Sequence, residues 1–130
     1  MTEADIATAM GQRLVTPAIG AVVWENKDAE PAKPYLVFEL IPTETTDQTI
    51  AGGSPRHVGY MQVSVVSDTD RFNTPGLGLA DAVALRFPYG LRLTAGTGQI
   101  TITKPPHIQR GYHDGINWRV PVRIDYQANA

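Results

Sequence analysis

The chain has 130 residues, which are enough for one hydrophobic core but too few for two, so we expect a single domain spanning residues 1–130. Its 11 Lys and Arg against 13 Asp and Glu give a net charge of −2. That charge excludes electrostatic attraction of the whole protein to nucleic acid or an anionic membrane, although not a local basic patch. The absence of cysteine excludes disulfide scaffolds, thiolate metal sites and cysteine nucleophiles.

The N-terminus predicts no export signal, because its first five residues include the acids Glu3 and Asp5 and no base, and they lead into no long apolar run. The apolar runs, such as Leu36–Phe38, are far below the ~20 residues that span a bilayer. We therefore expect a soluble protein made in a cytoplasm.

Two amphipathic helices are predicted. The four-residue spacing of Ile6, Met10 and Leu14 predicts a helix that begins near Thr2 or Glu3 and ends before Thr16-Pro17. A second helix is expected to begin at Thr74-Pro75, an N-cap followed by proline at the first helical position. Its apolar residues are Leu79, Val83 and Phe87, and Pro88-Tyr89-Gly90 ends it.

The first half of the chain predicts three strands. They are Ala21–Glu25, Tyr35–Ile41 and His57–Ser67, the second apolar on both faces except at Glu39 and ended by Pro42. Asn26–Pro34 is expected to be a loop because it contains four charges and two prolines. The polar, aperiodic stretch Thr43–Arg56 is expected to be a second loop, long enough to suggest a functional or mobile segment.

The second half predicts four further strands, at Leu91–Leu93, Gln99–Thr103, His107–His113 and Ile116–Tyr126. Asp114-Gly115 is expected to form the tight turn of the closing hairpin. Along the last strand, apolar residues alternate with Arg119, Arg123 and Asp125, which are expected to point outward. The predicted fold is α+β, with a largely antiparallel or mixed sheet and two helices packed on one face.

No catalytic or metal-binding motif is evident. His107 and His113, six apart in one predicted strand, would share a face about 20 Å apart, too far to share a metal ion. Ser54, His57 and Asp68 could form a triad, but no nucleophile-elbow motif supports it. Gly76-Leu-Gly78 and Gly96-Thr-Gly98 lack the partners of nucleotide-binding loops. We expect no enzymatic activity and no cofactor.

Arginine is the more informative basic residue, since eight of the 11 basic residues are Arg. Arg110, Arg119 and Arg123 fall on the predicted closing hairpin, and Arg56 ends the long loop. One interpretation is a solvated strand face with Asp125 as counterion. The other is a charged subunit interface or pore lining, because arginine forms planar pairs with carboxylates and phosphates.

The order of elements resembles the tail terminator family of long-tailed bacteriophages. The resemblance covers nearly the whole chain, from the N-terminal helix to the closing strand Trp118–Tyr126. Its other segments are Ala21-Val-Val-Trp24-Glu-Asn26, Pro34-Tyr-Leu-Val-Phe-Glu-Leu-Ile-Pro42, Gly59-Tyr-Met-Gln-Val-Ser-Val65 and the Ala80–Phe87 helix followed by Gly90. None of these is a catalytic signature.

The resemblance implies a hexameric ring that caps the tail tube, stops its polymerisation and forms the surface joined to the head. Its implied partners are further copies of itself, the tail tube protein and head–tail connector proteins, with DNA passing through the lumen without specific binding. It also implies that the loop at Thr43–Arg56 takes part in assembly. The candidate interface residues are Thr43, Asp47, Gly52, Gly53, Arg56, Arg110, Arg119 and Arg123.

Three alternatives remain open at this point. A head-completion or head–tail connector protein uses a similar fold and would differ in its partner. A small-molecule-binding or enzymatic α+β domain would need an apolar pocket with convergent polar groups. A nucleic-acid-binding module would need a basic and aromatic strand surface, which the sequence does not show.

Overall fold

The computed structural model describes residues 3–16, 21–24, 34–47, 55–68, 74–96, 98–115 and 117–129. They form two helices, α1 (Glu3–Val15) and α2 (Thr74–Arg86). The strands are β1 (Ala21–Val23), β2 (Tyr35–Asp47), β3 (Pro55–Asp68), β4 (Arg92–Ala95), β5 (Gly98–Ile102), β6 (His107–Ile108), β7 (Tyr112–Asp114) and β8 (Asn117–Asn129).

The strands form one curled sheet in the order β1-β2-β3-β8-β5-β4, with β6 and β7 also pairing with β8. β1 runs parallel to β2, and every other described pairing is antiparallel. The α+β class is therefore confirmed. The centre of the sheet is β3 and β8, and β8 pairs with β3, β5, β6 and β7.

Both predicted helices are present, with boundaries close to those expected. Ile6, Met10 and Leu14 of α1 are fully buried, as the four-residue spacing predicts. Val83 of α2 and Phe87 just after it are fully buried in the same hydrophobic cluster. The cluster is completed by alternate residues of one sheet face, among them Met61, Val63, Val65, Val120, Val122, Ile124 and Tyr126.

The prediction of a loop at Thr43–Arg56 is wrong at both ends of that segment, which belong to strands. β2 continues through Pro42 to Asp47, and β3 already begins at Pro55. Pro42 does not end the strand because a bulge follows it: Pro42 pairs with Gly59 and Glu44 with Val58, so Thr43 is an extra residue. The Thr43 hydroxyl donates to the Val58 carbonyl oxygen at 3.0 Å. Residues 48–54 lie outside the described residues.

The predicted strand His107–His113 is also interrupted. His107 pairs with Arg123 but Tyr112 pairs with Arg119, so the hairpin strand has one residue more than β8 over this span. A bulge of this kind reverses the alternation of side chains. His107 therefore lies on the face of Arg123, and His113 lies on the opposite face against Trp118, with ring centroids 4.9 Å apart. The expectation that both histidines share a face is wrong.

The turn of the closing hairpin is displaced by one residue from the prediction. Asp114 pairs with Asn117 and is the last residue of β7, so the turn begins at Gly115 rather than Asp114. Gly115 has a φ of 63°, a left-handed conformation that glycine adopts without strain.

Two arginines form hydrogen bonds between the C-terminal ends of the two helices. The Arg13 Nε donates to the Arg86 carbonyl oxygen at 2.8 Å. In return, Arg86 Nη1 donates to the carbonyl oxygens of Arg13 and Leu14, each at 3.2 Å. Each guanidinium thus donates to C-terminal carbonyl groups of the other helix, which have no donor within that helix. Its positive charge also stabilises the negative end of that helix's dipole.

Candidate assembly surface

At the end of β2 farthest from β1 lies a hairpin that we call the arm: β2 from Pro42 to Asp47 with β3 from Pro55 to Val58. Four consecutive arm residues, Pro42–Thr45, are solvent-exposed although they belong to a strand. β1 pairs with β2 only as far as Val37, so among the described strands β3 alone pairs with the β2 part of the arm. The arm therefore exposes both faces of β2 and one of its edges.

Strand register continues the arm into a five-stranded sheet, β2-β3-β8-β5-β4. One row across it is Glu44, Val58, Gln127, Thr101 and Arg92. Another is Thr46, Arg56, Asn129, Gln99 and Thr94. Directly paired residues project from the same face of an antiparallel sheet, and the two rows are two residues apart. Both rows therefore lie on one face, which we call the arm-end face.

The arm-end face is polar, and its charges are sparse. Nine of its ten residues are polar, and the described rows contain one acid and two arginines. Glu44 and Arg92 stand at opposite edges, both exposed, whereas Arg56 lies in the middle, half-buried. Such a face is suited to contact with water or polar surfaces and has no concentrated positive charge to hold nucleic acid.

The opposite face of the arm meets the beginning of α1. His57 is buried at 8% exposure, and its Nδ1 lies 3.0 Å from Glu3 Oε1 and 3.4 Å from Thr45 Oγ1. Tyr126 lies nearby on β8, fully buried, and its hydroxyl has no hydrogen-bond partner among the described residues. Burial, with a smaller contribution from the Glu3 carboxylate, raises the pKa of Tyr126 to about 12. These contacts fix the base of the arm to the N-terminal turn of α1.

The raised pKa of Tyr126 predicts a loss of stability at alkaline pH. The folded protein favours the neutral phenol, so this contribution is complete below the ordinary pKa of 10.0 and is lost as pH rises from 10 to 12. Two pKa units correspond to roughly 2–3 kcal/mol of unfolding free energy. Urea unfolding of the parent and of Tyr126→Phe at several pH values measures it. We expect the parent to lose roughly 2–3 kcal/mol relative to Tyr126→Phe between pH 10 and pH 12, because phenylalanine has no hydroxyl to ionise, and stability curves that stay parallel over this range would contradict the assignment.

The arginines of β8 lie away from the arm and are already paired. Arg123 donates to Asp125 Oδ1 from Nη2 at 3.1 Å and from Nε at 3.3 Å, and its guanidinium carbon lies 4.0 Å from the centre of the Tyr60 ring. Arg119 Nε donates to Asp114 Oδ2 at 2.5 Å. The counterion role expected of Asp125 is thus observed. Arg110 is exposed in the segment between β6 and β7.

The structure gathers only some of the candidate interface residues. Thr43, Asp47 and Arg56 belong to the two strands of the arm, whereas Arg110, Arg119 and Arg123 belong to the hairpin side of β8. Gly52 and Gly53 lie outside the described residues. No sequence pattern predicted the β4 and β5 residues on the arm-end face, because only strand register brings them beside the arm.

The structure does not bring together the hypothetical catalytic triad of Ser54, His57 and Asp68 in the part of the chain that it describes. His57 contacts Glu3, whereas Asp68 pairs with Asn117 at the other end of β3, roughly 36 Å away at strand rise. Ser54 lies outside the described residues. In the described part of the chain, no three His, Asp or Glu side chains converge in a way that could hold a metal ion. None of the helices described is long and apolar enough to cross a bilayer.

Comparison with known proteins decides the family. The family model of the phage tail terminator protein matches residues 5–126. The chain belongs to the phage tail terminator family. That family is one of structural tail proteins, so the chain is a virion structural protein.

Two solved structures share the fold of this chain. One, of a protein without a functional name, has a TM-score of 0.80 and 24% identity over 98% of this chain and 96% of its own. Another comes from the virion of a native gene transfer agent particle, with a TM-score of 0.69 and 18% identity over 96% and 95% of the two chains. No curated protein sequence matches this terminator.

Proposed function

We propose that this terminator closes the phage tail tube as a ring of six copies, stops tube polymerisation and presents the surface to which the head is joined. The observation that carries the proposal is the family match over residues 5–126. The arm with its exposed β2 supports it, because a strand exposed on two faces and an edge offers surface to a partner.

The size of the chain also supports six copies. A globule of 130 residues has a radius of gyration near 14 Å and a diameter of about 36 Å. Six touching globules of that size leave a central hole about 36 Å wide, whereas three leave only about 6 Å. A domain this small therefore frames a DNA channel only in a ring of about six. The low net charge and the polar arm-end face suit a channel through which DNA slides without being held.

The proposed partners follow from the position at the junction. One face of the ring would contact the last ring of tail tube protein, and the other would contact the head–tail connector. Binding would depend on surface complementarity, and ordering of segments on contact would cost conformational entropy. The protein would reside in the tail of the virion after synthesis in the host cytoplasm.

The decisive experiment adds purified protein to tails assembled without a terminator and follows tube length by electron microscopy. We expect capped tubes of uniform length that accept heads. Light scattering on a sizing column, with and without magnesium, measures the oligomer, for which six chains of 14.1 kDa are expected. Binding to connector-bearing heads with no effect on tails would assign the protein to head completion instead. Binding to neither would contradict the proposal.

A further inference from the structure

The five-stranded sheet that includes the arm has two edges with no described strand beside them. The first is the β2 part of the arm, Pro42–Asp47, and the second is β4, which pairs only with β5 among the described strands. A strand edge without a neighbouring strand pairs readily with another strand. Because β2, β8 and β4 run in one direction and β3 and β5 in the other, a second copy placed beside the first would bring its β2 alongside β4 in parallel orientation.

The two edges differ in charge in a way that favours unlike edges over like ones. Exposed Glu44 stands on the arm edge, and exposed Arg92 stands on the β4 edge. Glu44 and Arg92 also occupy the same row and the same face. Two copies side by side therefore place a carboxylate of one opposite a guanidinium of the next, whereas two arm edges together would oppose like charges.

A groove beside β4 provides room for the incoming strand. It has a volume of about 440 Å³, and its lining residues are Ala9, Gln12, Arg13, Thr16, Leu93 and Thr94. α1 forms one wall and β4 the other, so a strand entering it would meet both the backbone edge and a second arginine, Arg13. The groove is therefore basic where the arm edge is acidic.

We propose that β2 of one copy's arm pairs with β4 of the next copy, so that the sheet continues from subunit to subunit around the ring. This interface rests on the ring proposed above. It is heterologous, the kind of contact that closes into a ring when the rotation between copies permits. Six such sheets contain about 30 strands, and at about 4.8 Å per strand the circumference is about 145 Å and the diameter about 46 Å. A sheet of that diameter surrounds a DNA duplex with room to spare.

The absence of native cysteine makes a direct test possible. In Thr46→Cys/Thr94→Cys, the two thiols of one chain are four strands apart, about 19 Å, which excludes a disulfide within the chain. Under mild oxidation of assembled tails we expect a ladder of crosslinked chains ending at the full ring. The matched control, Thr46→Cys/Gln99→Cys, moves the second thiol one strand inward in the same row and is expected to give none.

Charge reversal provides an independent test of the same interface. We expect Glu44→Arg and Arg92→Glu each to raise the ring's dissociation concentration about tenfold, and the double variant to restore it, because the pair is re-formed with exchanged signs. If rings of wild-type size form but the Thr46→Cys/Thr94→Cys chains do not crosslink, or if the double charge-reversal variant does not recover, this interface is wrong while the proposal of a ring is retained. A protein that stays monomeric both in solution and on tail ends overturns the ring and the interface together.

Discussion

Replacing Gly59 with alanine is expected to lower the unfolding free energy by about 3 kcal/mol, because the added methyl has no space. A Cβ at this position would lie 2.6 Å from the Ile41 carbonyl oxygen and 2.8 Å from the Pro42 Cα, both backbone atoms of the neighbouring strand. It would also lie 3.0 Å from the Tyr126 hydroxyl. Relief requires β2 to move away from β3 at the base of the arm, next to the bulge.

Urea unfolding followed by circular dichroism measures this effect, with Gly78→Ala as the matched control. Gly78 lies within α2, and a Cβ there meets nothing within 4 Å. The same chemical change is therefore expected to stabilise the protein by roughly 0.5–1 kcal/mol through helix propensity. We therefore expect Gly59→Ala to lower the unfolding free energy and Gly78→Ala to raise it. A Gly59→Ala protein as stable as the parent would show that the strands at the base of the arm are not closely packed.

Arg86→Ala is expected to cost about 2–3 kcal/mol, since its guanidinium donates to two carbonyl oxygens at the end of α1. Loss of the side chain removes both of these hydrogen bonds and a positive charge from the helix terminus. Arg86→Lys keeps the charge but not the planar pair of donors, so an intermediate loss is expected.

The control for Arg86 is its neighbour Leu85, which is 81% exposed. Leu85→Ala is expected to change stability by less than about 0.5 kcal/mol. Thermal or urea unfolding of the three variants separates the contribution of the guanidinium from that of the helix itself. If Arg86→Ala costs no more than Leu85→Ala, the hydrogen bonds between the helix ends contribute nothing measurable.

Much of the fold could be predicted from local patterns. The spacing of Ile6, Met10 and Leu14 located α1, and the alternation of Val120, Val122 and Ile124 assigned the buried face of β8. These predictions succeed because burial of a helix or strand face leaves its period in the sequence. The α+β class followed from the order of the elements.

The errors have a common physical cause, the β-bulge. Composition around Pro42 indicated the end of a strand, yet the bulge at Thr43 accommodates the proline and lets β2 continue. The bulge between β6 and β7 likewise reversed the face of His113. A bulge depends on how two distant segments pair, and one strand's sequence does not contain that information. The position of β4 and β5 beside the arm was hidden for the same reason.

The extra residue at Thr43 has a consequence for how the length of this hairpin can vary. Removing Thr43 would leave every pairing on either side unchanged, from Pro42 with Gly59 to Glu44 with Val58. Removing any single residue between Glu44 and Asp47 would instead exchange inward and outward side chains beyond that point. One-residue deletions are therefore tolerable at Thr43 alone, and elsewhere in this strand natural length variants should differ by two residues at a time.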